Sequence, residues 1–485
     1  MDIGDWDLGP LPVLFCGRRV GFVEHLSTLD AGFLEAEDSD RHVSLAVGGV
    51  SVIEGPMPDF ASLVDNVADR IVRIPRFKQM VRTHVLDLEP PEWVEDPNFD
   101  LSHHVHRAAL PDPGDDQSLF RFVADVMERR LDRDRPLWEC WIIEGLAGGR
   151  WAVLVKIHHC VADGIATMHL LSSFSDDGEG ATFASEIRAA HELTDRGVRV
   201  PKVSLNPLDW ASGIWQAAVG VTNAATLAVG GVVEITGGLL RPAATSSLAG
   251  PVSTMRRYSA ARVSLEDVET ICHEFGVTIN DVALTAITAS FRAALVRRGE
   301  RPRRNSLRTL VPVSIRSNDA REAVDNRVSL MLPCLPVEKE DLVDQLHEVH
   351  GRLTTAKGSG QRQAGSGFIS SIGLLPFPLT AWAVRLLTRL PQRGVVTVAT
   401  NVPGPRQRSR ILGREVVSVL PIPPIALQLR TGIAILSYAD SLVFGIIADY
   451  DTTSDVDELA RGIEQAIAQL SAVSAGVRGS APDGG

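Results

Sequence analysis

Lysine is nearly absent from this chain. Only five of the 48 basic residues are lysine (Lys78, Lys156, Lys202, Lys339 and Lys357) in a sequence of 485. Against 60 acidic residues the net charge is −12. This balance argues against a nucleic-acid partner, which usually shows as a basic patch or a high isoelectric point. Cysteine is also scarce. Cys16, Cys140, Cys160, Cys272 and Cys334 are odd in number and contain no C-x-x-C pair, which argues against a disulfide framework or zinc site and fits a reducing cytosol. The N-terminus is acidic rather than basic, so no secretory leader is expected. There is no P-loop, no dinucleotide fingerprint after a strand and no G-x-S-x-G elbow. No metal or cofactor is expected.

What is present suits a large folded chain. Hydrophobic residues make up 45% and charged residues 22%, enough for two cores at this length. Residues 1–24 read as an extension. An N-terminal domain is expected over 25–185, with strands at Val43–Ile53, Leu137–Ile143 and Trp151–Ile157 and helices at Phe60–Ile74 and Leu119–Leu131. Residues 186–255 read as a Gly/Ala-rich helical linker. Within it, Ala211–Val233 is uncharged and long enough to span a bilayer, but its polar residues and four glycines make a poor spanning helix. Contact with membrane or packing on protein is expected instead.

A second domain is expected over 256–472, followed by a polar tail at 473–485. Strands are predicted at Tyr258–Val263, Leu310–Ile315, Ser329–Pro336, Val395–Asn401, Ala434–Tyr438 and Leu442–Asp449. A long helix should begin after Thr278 as its cap, with Ile279, Val282, Ala286, Ala289 and Ala293 as its inner stripe. A final helix is predicted at Asp455–Leu470. Gly358–Gly367 reads as a loop. Phe368–Leu390 fits either an amphipathic helix at a lipid surface or a core helix. Mixed strands and helices in two halves give an α/β class.

The chemistry concentrates in "VKIHHCVADGIA", Val155–Ala166. Histidine is rare, at 13 of 485 residues, yet two stand together at the end of an apolar strand. A histidine held on a tight turn is a natural general base near neutral pH. The alternative is a pair of satisfied core histidines. Strand alternation should turn the two rings to opposite sides. A metal site is disfavoured, because adjacent histidines rarely chelate one ion and no third ligand is near. "SHHVHR", Ser102–Arg107, likewise lacks a carboxylate or thiol at ligand spacing.

"HHCVADG" resembles the H-H-x-x-x-D-G signature of the CoA-dependent acyltransferase superfamily. "LSTLDAGFLEAE", "RPLWECWIIEGL", "INDVALTAITASFRAAL", "LVPVSIR", "DNRVSLMLPCLP", "TNVPGP" and "ILSYADSLVFGIIAD" resemble, in order, segments of the bacterial wax ester synthase/diacylglycerol acyltransferase family. The resemblance runs from about Leu26 to Leu470. It implies two chloramphenicol-acetyltransferase-like domains with mixed sheets and an active-site tunnel between them.

The resemblance also implies roles. His159 would be the general base on an acceptor hydroxyl, with His158 supporting it. Asp163 and Gly164 would hold the turn, with Arg316 as the partner of Asp163. Pro136, Leu137 and Trp138 would line or support the site. Asn280 and Asp281 match the family's Asn-Asp segment, and helix capping is the simpler reading of Asp281. Asn401 and Ser437 would lie near the tunnel. Cys160 occupies a variable motif position and is not expected to act as a nucleophile. The expected reaction joins acyl-CoA, as co-substrate, to diacylglycerol or a long-chain alcohol. By analogy with actinobacterial chains of similar composition, diacylglycerol is favoured. An inactive lipid-surface relative is the non-enzymatic alternative. The expected location is cytoplasmic, peripheral on membrane or lipid droplet; the oligomeric state is left open.

Overall fold

Runs of buried β-branched residues build two mixed sheets, and these place the histidine pair. A computed structural model describes residues 24–72, 74–84, 89–161, 175–176, 246–304, 306–314, 328–358, 395–426 and 428–480. The first half contains β1 (Glu24–His25), α1 (Thr28–Ser39), β2 (Ala46–Ile53), α2 (Phe60–Ile71), β3 (Gln79–Arg82), β4 (Glu92–Glu95), β5 (Val105–Ala109), α3 (Asp116–Glu128), β6 (Trp138–Leu146) and β7 (Arg150–His158). The second contains β8 (Arg256–Ser264), α4 (Leu265–Phe275), α5 (Ile279–Arg297), β9 (Leu307–Ser314), β10 (Val328–Met331), β11 (Cys334–Leu335), α6 (Leu342–Gly358), β12 (Thr397–Val402), β13 (Arg410–Ile411), β14 (Arg414–Ile422), β15 (Thr431–Tyr438), β16 (Ser441–Asp449) and α7 (Val456–Ser480).

One sheet has the order β13-β14-β2-β7-β6-β5, and the other β10-β9-β12-β15-β16-β8, with β11 on β9. Both are mixed: β5–β6 and β12–β15 run parallel, while β2–β7 and β15–β16 run antiparallel. A small sheet β1-β4-β3 stands apart.

The halves are not separable along the chain. Strand β14 comes from the second half but pairs with β2, from Val416 opposite Ile53 to Ile422 opposite Gly48. Tyr258 on β8 is buried and donates to Pro421 O at 2.9 Å. Arg262 bonds Asp116 at the start of α3.

Helix α5 has the predicted cap. Thr278 and Asp281 form a reciprocal capping box, which satisfies two of the N–H groups a helix start leaves open. The predicted single stripe is too narrow. Ala293 is exposed, and the buried set includes every residue from Asp281 to Thr288. The reason is tertiary: α4, α6, α7 and β11 all touch this helix. Helix α7 also runs to Ser480, into the expected tail, with Ser474 buried and its hydroxyl on Ser471 O. The segments 211–233, 358–367 (beyond its first residue) and 368–390, singled out above, lie outside the described residues.

Candidate active site

Strand β7 is buried from Trp151 to His158, as expected for a strand covered on both faces. Ala152 and Leu154 join the cluster under α1 and α3; Trp151, Val153, Val155 and Ile157 join the cluster with Phe77 and Trp138. By the period of two, Lys156 and His158 point toward α1 and α3.

His158 ends the strand, paired with Ala46 of β2, and its N–H donates to Leu137 O at 3.0 Å. Its side chain is 1% exposed. The Cys160 N–H donates to Nδ1 at 3.1 Å, which assigns the proton to Nε2. Nε2 lies 3.4 Å from Glu37 Oε2. Burial pushes this imidazole below its ordinary value, with Glu37 opposing, so the ring is neutral.

Glu37, on α1, is itself 1% exposed. It accepts the Leu45 N–H at 2.9 Å and Arg133 Nη2 at 2.6 Å. Burial alone would raise its carboxyl. The His158 contact, the Arg133 charge and the Leu45 N–H outweigh that and hold it at about 2. A buried carboxylate next to a neutral imidazole is thus balanced by one guanidinium.

His159 is the first residue past the strand. Its N–H donates to Leu45 O at 3.0 Å, it is half-buried, and its ring centroid lies 4.2 Å from that of Phe33. Phe33 and Glu37 are one turn apart on α1. Both histidine rings therefore border the same helix. The strand ends at His158, so His159 stands on the turn that follows it.

The predicted supporting residues separate into groups. Pro136, Leu137 and Trp138 are all buried. Trp138 donates to Phe77 O at 2.9 Å and stacks between Phe77 and His104. Leu137 carries the carbonyl that holds the His158 N–H. This segment braces the motif by packing and through its backbone. Asn401 lies opposite Ile435 on β15. Ser437 accepts the Gly404 N–H at 3.1 Å. Val402 and Leu436, their chain neighbours, share one hydrophobic cluster with Trp138 and Ile157, and Val161 packs against it. The histidine turn thus lies where the two sheets meet. Asn280 is half-buried, and Asp281 accepts from Thr278 N and His350 Nδ1, both at 2.8 Å. Helix α5 belongs to a core cluster separate from the two that flank β7. Asp163, Gly164 and Arg316 lie outside the described residues.

Cys160 is 6% exposed, and burial pushes its thiol far above the usual range, which removes the thiolate a nucleophile needs. Of the other histidines, His103 is exposed, His104 is buried with Nδ1 2.9 Å from Trp138 O, and His106 sits on Trp141. Among the described residues no cluster of three or more His, Cys, Asp or Glu is suited to a metal ion. A surface cavity of about 490 Å³ beside Met57, Phe60, Arg107 and Trp151 lies at the other end of β7 from the histidines. The residues sequence reasoning missed are Glu37, Arg133 and Phe33.

Residues 26–283 match the family model for the wax ester synthase/diacylglycerol acyltransferase catalytic domain, and residues 324–471 match the model for the C-terminal domain of the same family. The chain belongs to the wax ester synthase/diacylglycerol acyltransferase family. A Mycobacterium tuberculosis protein named probable diacylglycerol O-acyltransferase tgs1 is 56% identical over 452 residues, covering 93% of this chain and 96% of that one. The structure of a wax ester synthase/diacylglycerol acyltransferase from Marinobacter aquaeolei VT8 aligns with a TM-score of 0.67 at 25% identity, covering 93% of this chain and all of the other. The starter condensation domain of rhizomide synthetase, solved with C8-CoA, aligns at 0.55 with 13% identity over 93% of this chain and 94% of that one. That likeness concerns the fold, which is of the chloramphenicol-acetyltransferase type. As a member of the wax ester synthase/diacylglycerol acyltransferase family the protein is an acyltransferase of neutral-lipid synthesis.

Proposed function

We propose that the protein transfers a long-chain acyl group from acyl-CoA to diacylglycerol, with His159 as general base. The observation that carries this reading is the unequal state of the two histidines. His158 is fully buried, with Nδ1 accepting a backbone N–H and Nε2 facing a carboxylate; His159 is the one left part-exposed at the strand end. His159 removes the acceptor's hydroxyl proton as the oxygen attacks the thioester carbonyl. A tetrahedral oxyanion forms. As it collapses the C–S bond breaks, and the thiolate takes the proton from His159. The products are the ester and free CoA, with no covalent enzyme intermediate. In this reading acyl-CoA and lipid reach His159 from opposite ends of a tunnel between the halves. Asp163, Gly164 and Arg316 hold the turn, and Asn401 and Ser437 stand near the tunnel.

A wax ester product from a long-chain alcohol is the second reading, kept open by the family's double name, which the Marinobacter protein shares. The 56% relative's name favours diacylglycerol. The lipid substrate also supports a cytoplasmic protein peripheral to membrane or lipid droplet. Helix α5 alone among the described helices is long and apolar enough to cross a bilayer, but 67% of it is buried in the protein, as in a core helix.

The test is free-thiol release from palmitoyl-CoA by the purified chain, with dioleoylglycerol or hexadecanol as acceptor and products separated by chromatography. His159→Ala should lower the rate by about 10²–10⁴-fold. Triacylglycerol as the main product supports the first reading, and wax ester the second. Acceptor-dependent turnover that survives in His159→Ala removes His159 as the base.

A further inference from the structure

We propose that Lys156 is a positioning residue for the histidine pair, acting through the loop that follows α3. The inference rests on the acyl-transfer reading above and extends it to a residue outside the motif.

Lys156 is 0% exposed inside the apolar strand β7, two residues before His158 and on the same face. Its ammonium donates to Val126 O at 2.8 Å and to Arg129 O. Val126 is in the last turn of α3, where carbonyls have no partner within the helix. A cation there also complements the negative end of the helix dipole. Lys156 thus closes the inner side of the helix end, where the Val126 carbonyl is buried.

The chain that leaves this end runs straight to the site. Arg130 donates to Val43 O and to the carbonyls of Glu37 and Asp40. Arg133 donates to the Glu37 carboxylate, which faces His158. The contacts form a closed circuit: Lys156 to the end of α3, the loop to Arg133, Arg133 to Glu37, Glu37 to His158, and two residues of β7 back to Lys156. A methionine would fill the Lys156 volume without the desolvation cost of a buried charge. What only the lysine supplies is the pair of hydrogen bonds that anchors the loop. Burial lowers the ammonium to about 8, with Glu139 and Glu37 opposing, so it remains charged at neutral pH.

The experiment compares wild type, Lys156→Met, Arg133→Met and the double variant as full chains. It measures kcat, KM for palmitoyl-CoA, the pH profile of kcat and thermal melting. Lys156→Met should lower kcat about tenfold or more with KM nearly unchanged, the signature of a lost transition-state contribution. Its acid limb should move up, because the Arg133 charge, which helps hold the His158 imidazole below its ordinary value, is no longer fixed beside Glu37, and His158 then protonates more readily. The other charged groups facing Glu37, His158 and Lys156 are Asp38, Arg129 and Glu139. They are common to all four proteins, so a difference between profiles reports on how the Lys156–Arg133 link sets the charge beside His158. Arg133→Met should show the same signature, and the double variant should be little worse than either single, as for members of one network. Lys156→Gln, which keeps a donor, replaces Lys156→Met if the latter does not fold. A folded Lys156 variant with wild-type kcat and pH profile overturns the proposal. So do Lys156 and Arg133 effects that simply multiply. Wild type without acceptor-dependent thiol release would instead sink the acyl-transfer reading itself.

Discussion

Glu37 is the residue on which the site's charge balance turns. Its carboxyl sits at about 2 in the fold against an ordinary 4.5. The stability this contributes is complete above about pH 4.5 and is lost as pH falls toward 2. In full it corresponds to about 3 kcal/mol, of which about 2 should be gone by pH 3. Urea unfolding of wild type at pH 6 and pH 3 should show that loss, while Glu37→Gln should show a smaller pH dependence from a lower starting stability. Equal pH dependence in the two proteins would mean that another titrating group, such as the buried His158, carries the effect. Cys160→Ala should keep kcat within a few-fold, since a buried neutral thiol offers no nucleophile; a loss of a hundredfold or more would contradict this. The histidines were legible from their rarity and their place after an apolar strand. Their partners were not, because Glu37 lies far upstream in sequence and meets them only through the tertiary fold. A signal existed all the same. Ala31, Leu34 and Glu37 occupy one helical stripe, so an acid stood where an apolar residue belonged. Lys156 gave the same kind of signal inside the run Trp151–Ile157.

At the scale of elements, the junction of β12 and β15 tests how tightly the second sheet is fitted beside the histidine turn. A Cβ on Gly404 would lie 2.1 Å from Ser437 O, so Gly404→Ala must push backbone apart. A destabilisation of roughly 1–3 kcal/mol is expected, with kcat falling alongside it because the same cluster holds Trp138 and Val161. Unchanged melting and activity would show that this junction yields freely. Most strands were legible because alternation or a continuous apolar run is a local property. The cap of α5 was legible for the same reason. Strand β14 was not, since Pro421 lies within it and Pro423 and Pro424 follow closely, interrupting the local signal. The full burial of α5 was not either, because it depends on which helices arrive beside it.

At the scale of the whole molecule, the exchange of β14 makes the two halves one folding unit. Without β14, the first sheet would expose the β2 edge over Gly48–Ile53, and an unpaired apolar edge is a liability. Six residues of β14 pair with it, while Tyr258 ties β8 to β14 and Arg262 ties it to the start of α3. Heating the chain should therefore give one cooperative calorimetric transition, although 485 residues would ordinarily permit two. Tyr258→Phe sharpens the test. It leaves Pro421 O, at the crossing of the sheets, without its buried donor, at a cost of about 1–2 kcal/mol. If the halves are one unit, the single transition moves down intact. If they are joined mainly by the chain, the variant should split it in two, and the pairing of β14 with β2 would then carry too little energy to hold the histidine turn against the second sheet.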